Sequence, residues 1–271
     1  MTTKVGDSLR TASAKNRVGA STSKELAQNG RGIERAAQSQ ASSCVNRRAS
    51  ALLRLDGAEM YIAIFGVNGR VGSRIAQEAL SRGCSVTGVY HHSGETPLDR
   101  EKLLLRHGNV TDPHEVAQLA KGNDAVVSAI GPSESSVREF LPNSVRSLLV
   151  GLKQANVRRL VVVGGAGSLE VTPGVQLVDT PDFPPAWREV ALAHREALDI
   201  LKQEREIDWT YISPAAFLEP GERRGHYRVD SDKLVVDAEG QSRISMEDYA
   251  VAVLDELERG QFLKKRMAVG W

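Results

Sequence analysis

The chain has 271 residues, 41% of them hydrophobic and 25% charged, with a formal net charge of +1. That composition suits an ordinary globular protein, and no uninterrupted apolar stretch approaches the roughly 18 residues needed to cross a bilayer, so no membrane partner is expected. The near-neutral total conceals a split: residues 1–59 carry ten Lys/Arg against five Asp/Glu, and the remainder 25 against 29. Beyond "LKKR" near the end there is no basic cluster, so a nucleic-acid partner is not expected either. Cys44 and Cys84 show neither metal-ligand spacing nor a disulfide framework, which fits a reducing cytoplasm.

Residues 1–59 are rich in Ser, Ala, Arg, Gln and Asn and poor in large apolar side chains. Such a segment cannot bury enough surface to offset the entropy of ordering it. It reads as a low-complexity, disordered extension, with short helical stretches around 21–40. It lacks the continuous apolar core of a secretory signal, and its five acidic residues argue against an organelle transit peptide. Met60 is a second candidate start, the preceding residues then being an upstream addition.

From residue 60 the chain alternates strands and helices. "YIAIFG" (61–66) is short and apolar, as a buried parallel strand should be. The next segment places Val71, Ile75, Ala79 and Leu80 on one helical face, with Gly83 as a stop. "CSVTGVY" (84–90) and "LLLRHGNV" supply two more strands. Asp112 and Pro113 then open a helix as cap and first residue. "DAVVSAIG" (124–131) is a fourth strand, followed by a long helix across 135–156 and a fifth strand, "RRLVVVGG". An irregular proline-rich loop (171–185), a helix near 186–205 and the strand "WTYIS" (209–213) come next. Small strands around 226–237, a helix from Ser245 to about 259 with a Ser-x-x-Asp capping box, and the strand "RMAVGW" close the chain. The alternation predicts a single α/β domain over 60–271, a Rossmann-type doubly wound parallel sheet.

At the first strand–helix junction the sequence reads "FGVNGRVGSRI", with glycines at 66, 69 and 72. In that position glycines permit a tight turn (Gly66), close approach of a pyrophosphate (Gly69) and close packing of helix on strand (Gly72). The helix N-terminus favours the phosphates. The spacing is Gly-x-x-Gly-x-x-Gly rather than Gly-x-Gly-x-x-Gly, so context and not the bare pattern carries the dinucleotide reading. The second strand ends in "VYHHSG", without the carboxylate that usually holds the ribose hydroxyls of NAD. Arg70 can reach a 2′-phosphate instead, with His91 and His92 nearby, so NADP(H) is preferred and NAD(H) is the alternative. For the two histidines alone a solvated loop is the plainer reading, and no metal site is expected.

Together with this turn, "VVVGGAGSLEV", "LVDTPDFP", "DWTYISPAAFLEPGERRGHYR" and "ISMEDYAVAVLDELE" resemble the atypical short-chain dehydrogenase/reductase proteins of the NAD(P)H-binding type. The nearest subgroup is that of the candidate NADH-flavin reductases, with biliverdin-reductase-B-like and NmrA-like proteins as neighbours. The resemblance runs from about residue 60 to the C-terminus. It implies that Gly66, Asn68, Gly69, Arg70, Val71 and Gly72 hold the pyrophosphate and adenosine. It places Asn109 and Val110 near the adenine, with Asn109 standing where an Asp is more usual and its side-chain carbonyl kept as an acceptor. Ala129, Ile130 and Gly131 would pass the ribose, Ser213, Pro214 and Ala215 would flank the nicotinamide, and Ser168 would be the hydroxyl nearest it.

Standard members of that superfamily use a Tyr-x-x-x-Lys pair, in which lysine lowers the pKa of a proton-handling tyrosine. Here the residues four beyond Tyr61, Tyr90, Tyr211, Tyr227 and Tyr249 are Phe65, Gly94, Ala215, Ser231 and Val253. On the helix where the pair belongs, His194 is the one proton carrier available, and a lone helical histidine is more often structural than catalytic. A reductase passing hydride to a free flavin or another planar small-molecule acceptor, with flavin as substrate rather than prosthetic group, needs no such pair. A non-catalytic NADP(H)-binding regulator fits the same absence, and an isomerase using His194 is the third reading.

Overall fold

A computed structural model describes residues 59–91, 102–131 and 137–271. The extension read over 1–59, apart from Glu59, and residues His92 and Pro132 lie outside these. Eight strands form one sheet: β1 (Tyr61–Phe65), β2 (Ser85–Tyr90), β3 (Leu103–His107), β4 (Ala125–Ser128), β5 (Arg159–Val163), β8 (Asp208–Ser213), β10 (Arg228–Asp230) and β12 (Lys265–Gly270). Their order is β3-β2-β1-β4-β5-β8-β12-β10, parallel except where β10 pairs antiparallel with β12. The chain leaves β1 toward β2 on one side and later returns to place β4 on the other. That reversal opens a crevice at the C-terminal ends of β1 and β4. The predicted Rossmann-type doubly wound sheet is the fold observed.

Helices cover both faces. α1 (Arg70–Ser81) and α5 (Met246–Arg259) pack together on one, and α2 (Pro113–Ala120), α3 (Val137–Ala155) and α4 (Pro185–Gln203) lie side by side on the other. β1 is buried on both faces: Ile62 and Ile64 belong to the α1/α5 core, Ala63 and Phe65 to the α3/α4 core. This is why its sequence reads as a continuous apolar run. In α1 the buried side centres on Ile75, Ala76 and Ala79, with Val71 and Leu80 packed at its margins. Asp112 caps α2 through the N–H groups of His114 and Glu115, and Pro113 is its first residue.

Where an irregular loop was expected, the chain forms a hairpin. β6 (Glu170–Thr172) and β7 (Val175–Gln176) pair antiparallel, followed by a 3-10 turn at Leu177–Asp179. Pro173 presets the first turn residue and Gly174, at φ +78°, supplies the second. Two further three-residue strands, β9 (Phe217–Glu219) and β11 (Arg243–Ser245), pair parallel outside the main sheet. No helix among the described residues is long and apolar enough to cross a membrane.

Candidate active site

Crowding builds the turn that leaves β1. Gly66 has φ +85°, and a Cβ there would lie 2.6 Å from the Ala129 carbonyl oxygen. A Cβ on Gly72 would lie 2.1 Å from the Gly66 carbonyl oxygen. The first position needs glycine for its left-handed backbone and for contact with the exit of β4; the second needs it because α1 begins directly on the turn. The Gly69 N–H closes the turn onto the Gly66 carbonyl at 3.0 Å, and the Gly66 and Val67 N–H groups donate to the Val89 carbonyl of β2 at 2.9 and 3.2 Å.

α1 then opens uncapped. Gly69 has no side chain to offer, and the first turn holds no acidic residue. The start of α5 differs: the Ser245 hydroxyl accepts from the Asp248 N–H. An uncapped N-terminus keeps its N–H groups and its positive dipole end for an anion. Arg70 is exposed there, with Asn68 and Val71 half-buried beside it. Across the crevice Ala129 is buried, Ile130 half-buried and Gly131 exposed with open space where a Cβ would stand. Ser213, Pro214 and Ala215 are buried at the end of β8, Ala215 in the same apolar cluster as Ala129. A glycine-walled turn, a donor-rich helix end and an apolar floor fit a dinucleotide.

The remaining candidate residues stand elsewhere or are already engaged. The Asn109 side-chain oxygen accepts from the Thr111 N–H at 3.0 Å and the Thr111 hydroxyl at 2.8 Å. Both lone pairs are used in this local turn, so the acceptor expected to face adenine is not free to do so. Val110 is 6% exposed and packs into the α3/α4 core, leaving only its backbone for a ligand. Ser168 is buried, and Arg266 Nη1 donates to its carbonyl at 2.8 Å and its hydroxyl at 3.0 Å. Arg266 in turn pairs with Asp232. Ser168 therefore anchors the loop after β5 to β12 instead of presenting a hydroxyl to the crevice, because that loop turns back over the sheet.

His194 faces a cavity of about 10 Å³ between the ends of β4 and β5, lined also by Ser128, Ile130, Ser144 and Val163. That is the lower limit for one water. The Tyr211 hydroxyl donates to the His194 carbonyl at 3.0 Å and accepts from the Gly165 N–H at 3.1 Å. Its second lone pair meets His194 Nδ1 at 3.2 Å, which puts the ring hydrogen on Nδ1. Burial pulls the His194 pKa down to about 4 and pushes the Tyr211 phenol up. At neutral pH this imidazole is uncharged and has no imidazolium proton to give. No lysine stands four residues beyond Tyr211 to mark it in the sequence, and its partner lies on the helix packed over β8. Nothing in the sequence marks His107 either, which stacks on the exposed His91. No cluster of three or more potential metal ligands occurs among the described residues.

Residues 66–257, which hold the turn, the crevice and most of α5, match a family model for NAD(P)H-binding proteins. The chain belongs to this NAD(P)H-binding family. Three solved structures are similar to most of the chain. A Burkholderia pseudomallei protein described as a candidate exported protein is 42% identical, covers 78% of this chain and 100% of its own, and has a TM-score of 0.72. A candidate epimerase from Bacteroides thetaiotaomicron is 38% identical, with 79% and 98% covered and a TM-score of 0.74. A candidate NADH-flavin reductase from Streptococcus pneumoniae TIGR4 is 31% identical, with 78% and 99% covered and a TM-score of 0.69. All three share the fold over nearly their full length, and their descriptions differ.

Proposed function

We propose that the protein is an NAD(P)H-dependent reductase that passes hydride to a free flavin or a similar planar acceptor, with NADP(H) preferred. One observation carries the reading: a dinucleotide cradle stands beside a histidine held neutral, in a sequence without the Tyr-x-x-x-Lys pair. Reducing an isolated carbonyl needs a placed proton donor. A conjugated acceptor spreads the incoming charge and can take its proton from solvent, so binding and orientation supply much of the acceleration. The bound reduced nicotinamide would supply the hydride. Gly66, Gly69, Gly72 and the start of α1 hold the pyrophosphate, Arg70 meets the 2′-phosphate, and Ala129, Ile130, Gly131 and residues 213–215 flank the ribose and nicotinamide. Ser168 and His194 act as supports of the loops around the acceptor. The likeness to the S. pneumoniae protein supports the acceptor class.

Mixing the purified chain with NADPH and FMN or riboflavin should deplete the absorbance of the reduced nicotinamide. Clear cofactor binding without turnover of any flavin or quinone would sink the proposal. It would leave the rival reading, an NADP(H)-binding regulator, whose partner capture should depend on the oxidation state of the cofactor. The likeness to the candidate epimerase favours an isomerase with His194 as base; unchanged activity in His194→Ala would remove it.

A further inference from the structure

α4 turns one stripe of side chains toward the sheet, and that stripe outruns the strands. On the helical repeat, Trp187, His194, Leu198 and Leu201 fall within an arc of about 60°. Leu198 and Leu201 are buried in the core cluster that holds Trp209 and Tyr211 of β8. His194 comes next, level with the Tyr211 hydroxyl and the Gly165 N–H. Trp187, on the same arc, is 53% exposed. Contacts on both flanks fix this orientation. On one side Glu189 and Glu196 pair with Arg138 and Arg146 of α3, at 3.5 and 3.1 Å. On the other, Arg188 donates to the Val178 carbonyl at 3.3 Å and Arg195 pairs with Asp179 at 3.1 Å, both in the 3-10 turn.

β5 and β8 pair parallel, so the helix that joins them runs back against both. His194 already stands at the end of β5, because Gly165 is the second residue beyond Val163. From His194 to Trp187 the helix climbs about 10 Å further. Trp187 therefore overhangs the C-terminal edge of the sheet, on the β5 and β8 side of the crevice, with no strand beneath it. Scattered apolar residues on a surface need no account, but an indole on the inward arc of a buried helix does.

We propose that Trp187 is the stacking platform of the acceptor, its indole covering the face of an isoalloxazine ring that is turned away from the nicotinamide. The inference rests on the reductase reading. Hydride transfer uses one face of a flat acceptor and needs the two rings close and aligned. The other face stays open to water unless the protein supplies a flat apolar surface. An indole supplies area and an electron-rich face at the entropy cost of only two side-chain torsions. Ile130 and Val163, half-buried at the ends of β4 and β5, are branched and offer no such face. His194 is held against Tyr211. One helix thus divides two roles: His194 braces the loop after β5, and Trp187 selects a planar acceptor over a small carbonyl.

Riboflavin loses emission when its ring stacks on an indole, so titrating the full chain into riboflavin, with NADP+ present, reads the contact without turnover. The parent should quench the emission. Trp187→Ala should weaken riboflavin about tenfold, both in Kd and in KM with NADPH as donor, and Trp187→Phe should recover most of that loss. The KM for NADPH should stay within about twofold in both variants. Equal riboflavin Kd and KM in the parent and Trp187→Ala would overturn the platform and leave the reductase reading standing. An equal weakening of NADPH and riboflavin would make Trp187 a support of the fold and overturn the platform as well. Quenching that Trp187→Ala abolishes, without turnover in the parent, would uphold the platform and remove the reductase. Failure of the parent to bind riboflavin would overturn the platform, and turnover of a quinone would then decide the reductase reading alone.

Discussion

His194 and Tyr211 turn two ordinary side chains into a brace between α4 and the loop after β5. The Tyr211 hydroxyl satisfies the Gly165 N–H and the His194 carbonyl together. Tyr211→Phe leaves both without their partner, so unfolding by urea should show a loss of about 1–3 kcal/mol. The imidazole adds a pH signature. Its pKa is about 4 in the fold against an ordinary 6.5, so between those values the unfolded chain binds more protons. Stability is complete above pH 6.5 and falls as pH descends toward 4, by up to about 3 kcal/mol. Urea midpoints at pH 7 and 4.5 should record the fall, and His194→Gln should reduce it; an undiminished fall in that variant would place the titrating group elsewhere.

Single elements show which local signals survive folding. The Gly66-to-Gly72 turn was readable because left-handed backbone and steric contact within seven residues leave glycine as the residue that fits. Gly72→Ala drives a methyl into the Gly66 carbonyl, where backbone cannot yield as a side chain would. It should lower the thermal midpoint by the equivalent of about 1–3 kcal/mol and weaken both dinucleotides together. The Pro173–Gly174 hairpin is equally local in principle, yet its sequence reads as irregular because strands of two and three residues carry too little alternation. The start of α5 was half legible. Ser245 caps as its spacing predicts, but the Asp248 carboxylate does not reach back as a capping box would. It accepts instead from the Gly225 N–H and Trp271 Nε1, partners that no window around residue 248 contains.

Across the molecule, the order of the strands explains why one end of the sheet collects the candidate groups. β1 and β4 diverge at the switch point, and every loop that leaves a central parallel strand ends at the same edge. A dinucleotide seated there touches loops from both halves of the sheet and should stabilise the fold as a whole. At about 100 times its Kd it should add about 2.7 kcal/mol, a rise in thermal midpoint of roughly 5–10 °C. A differential scan with and without NADPH measures this. A midpoint unmoved by millimolar NADPH or NADH would contradict the cofactor placement.

The alternation of elements, the caps of α2 and α5, the glycine turn and the absence of a Tyr-x-x-x-Lys pair were all determined by the sequence alone. Each is a property of residues close in the chain, set by side-chain period, turn stereochemistry or a fixed spacing. What tertiary structure decided was which chemically able groups are free. Ser168 meets Arg266, 98 residues away, and loses its place as the hydroxyl of the crevice. Tyr211 on β8 meets His194 on α4, which burial keeps neutral, while His107 arrives beside His91 because β3 lies parallel to β2. These outcomes depend on strand register and on which loop folds over which face. Packing of the whole core settles both, and no short stretch of sequence contains them.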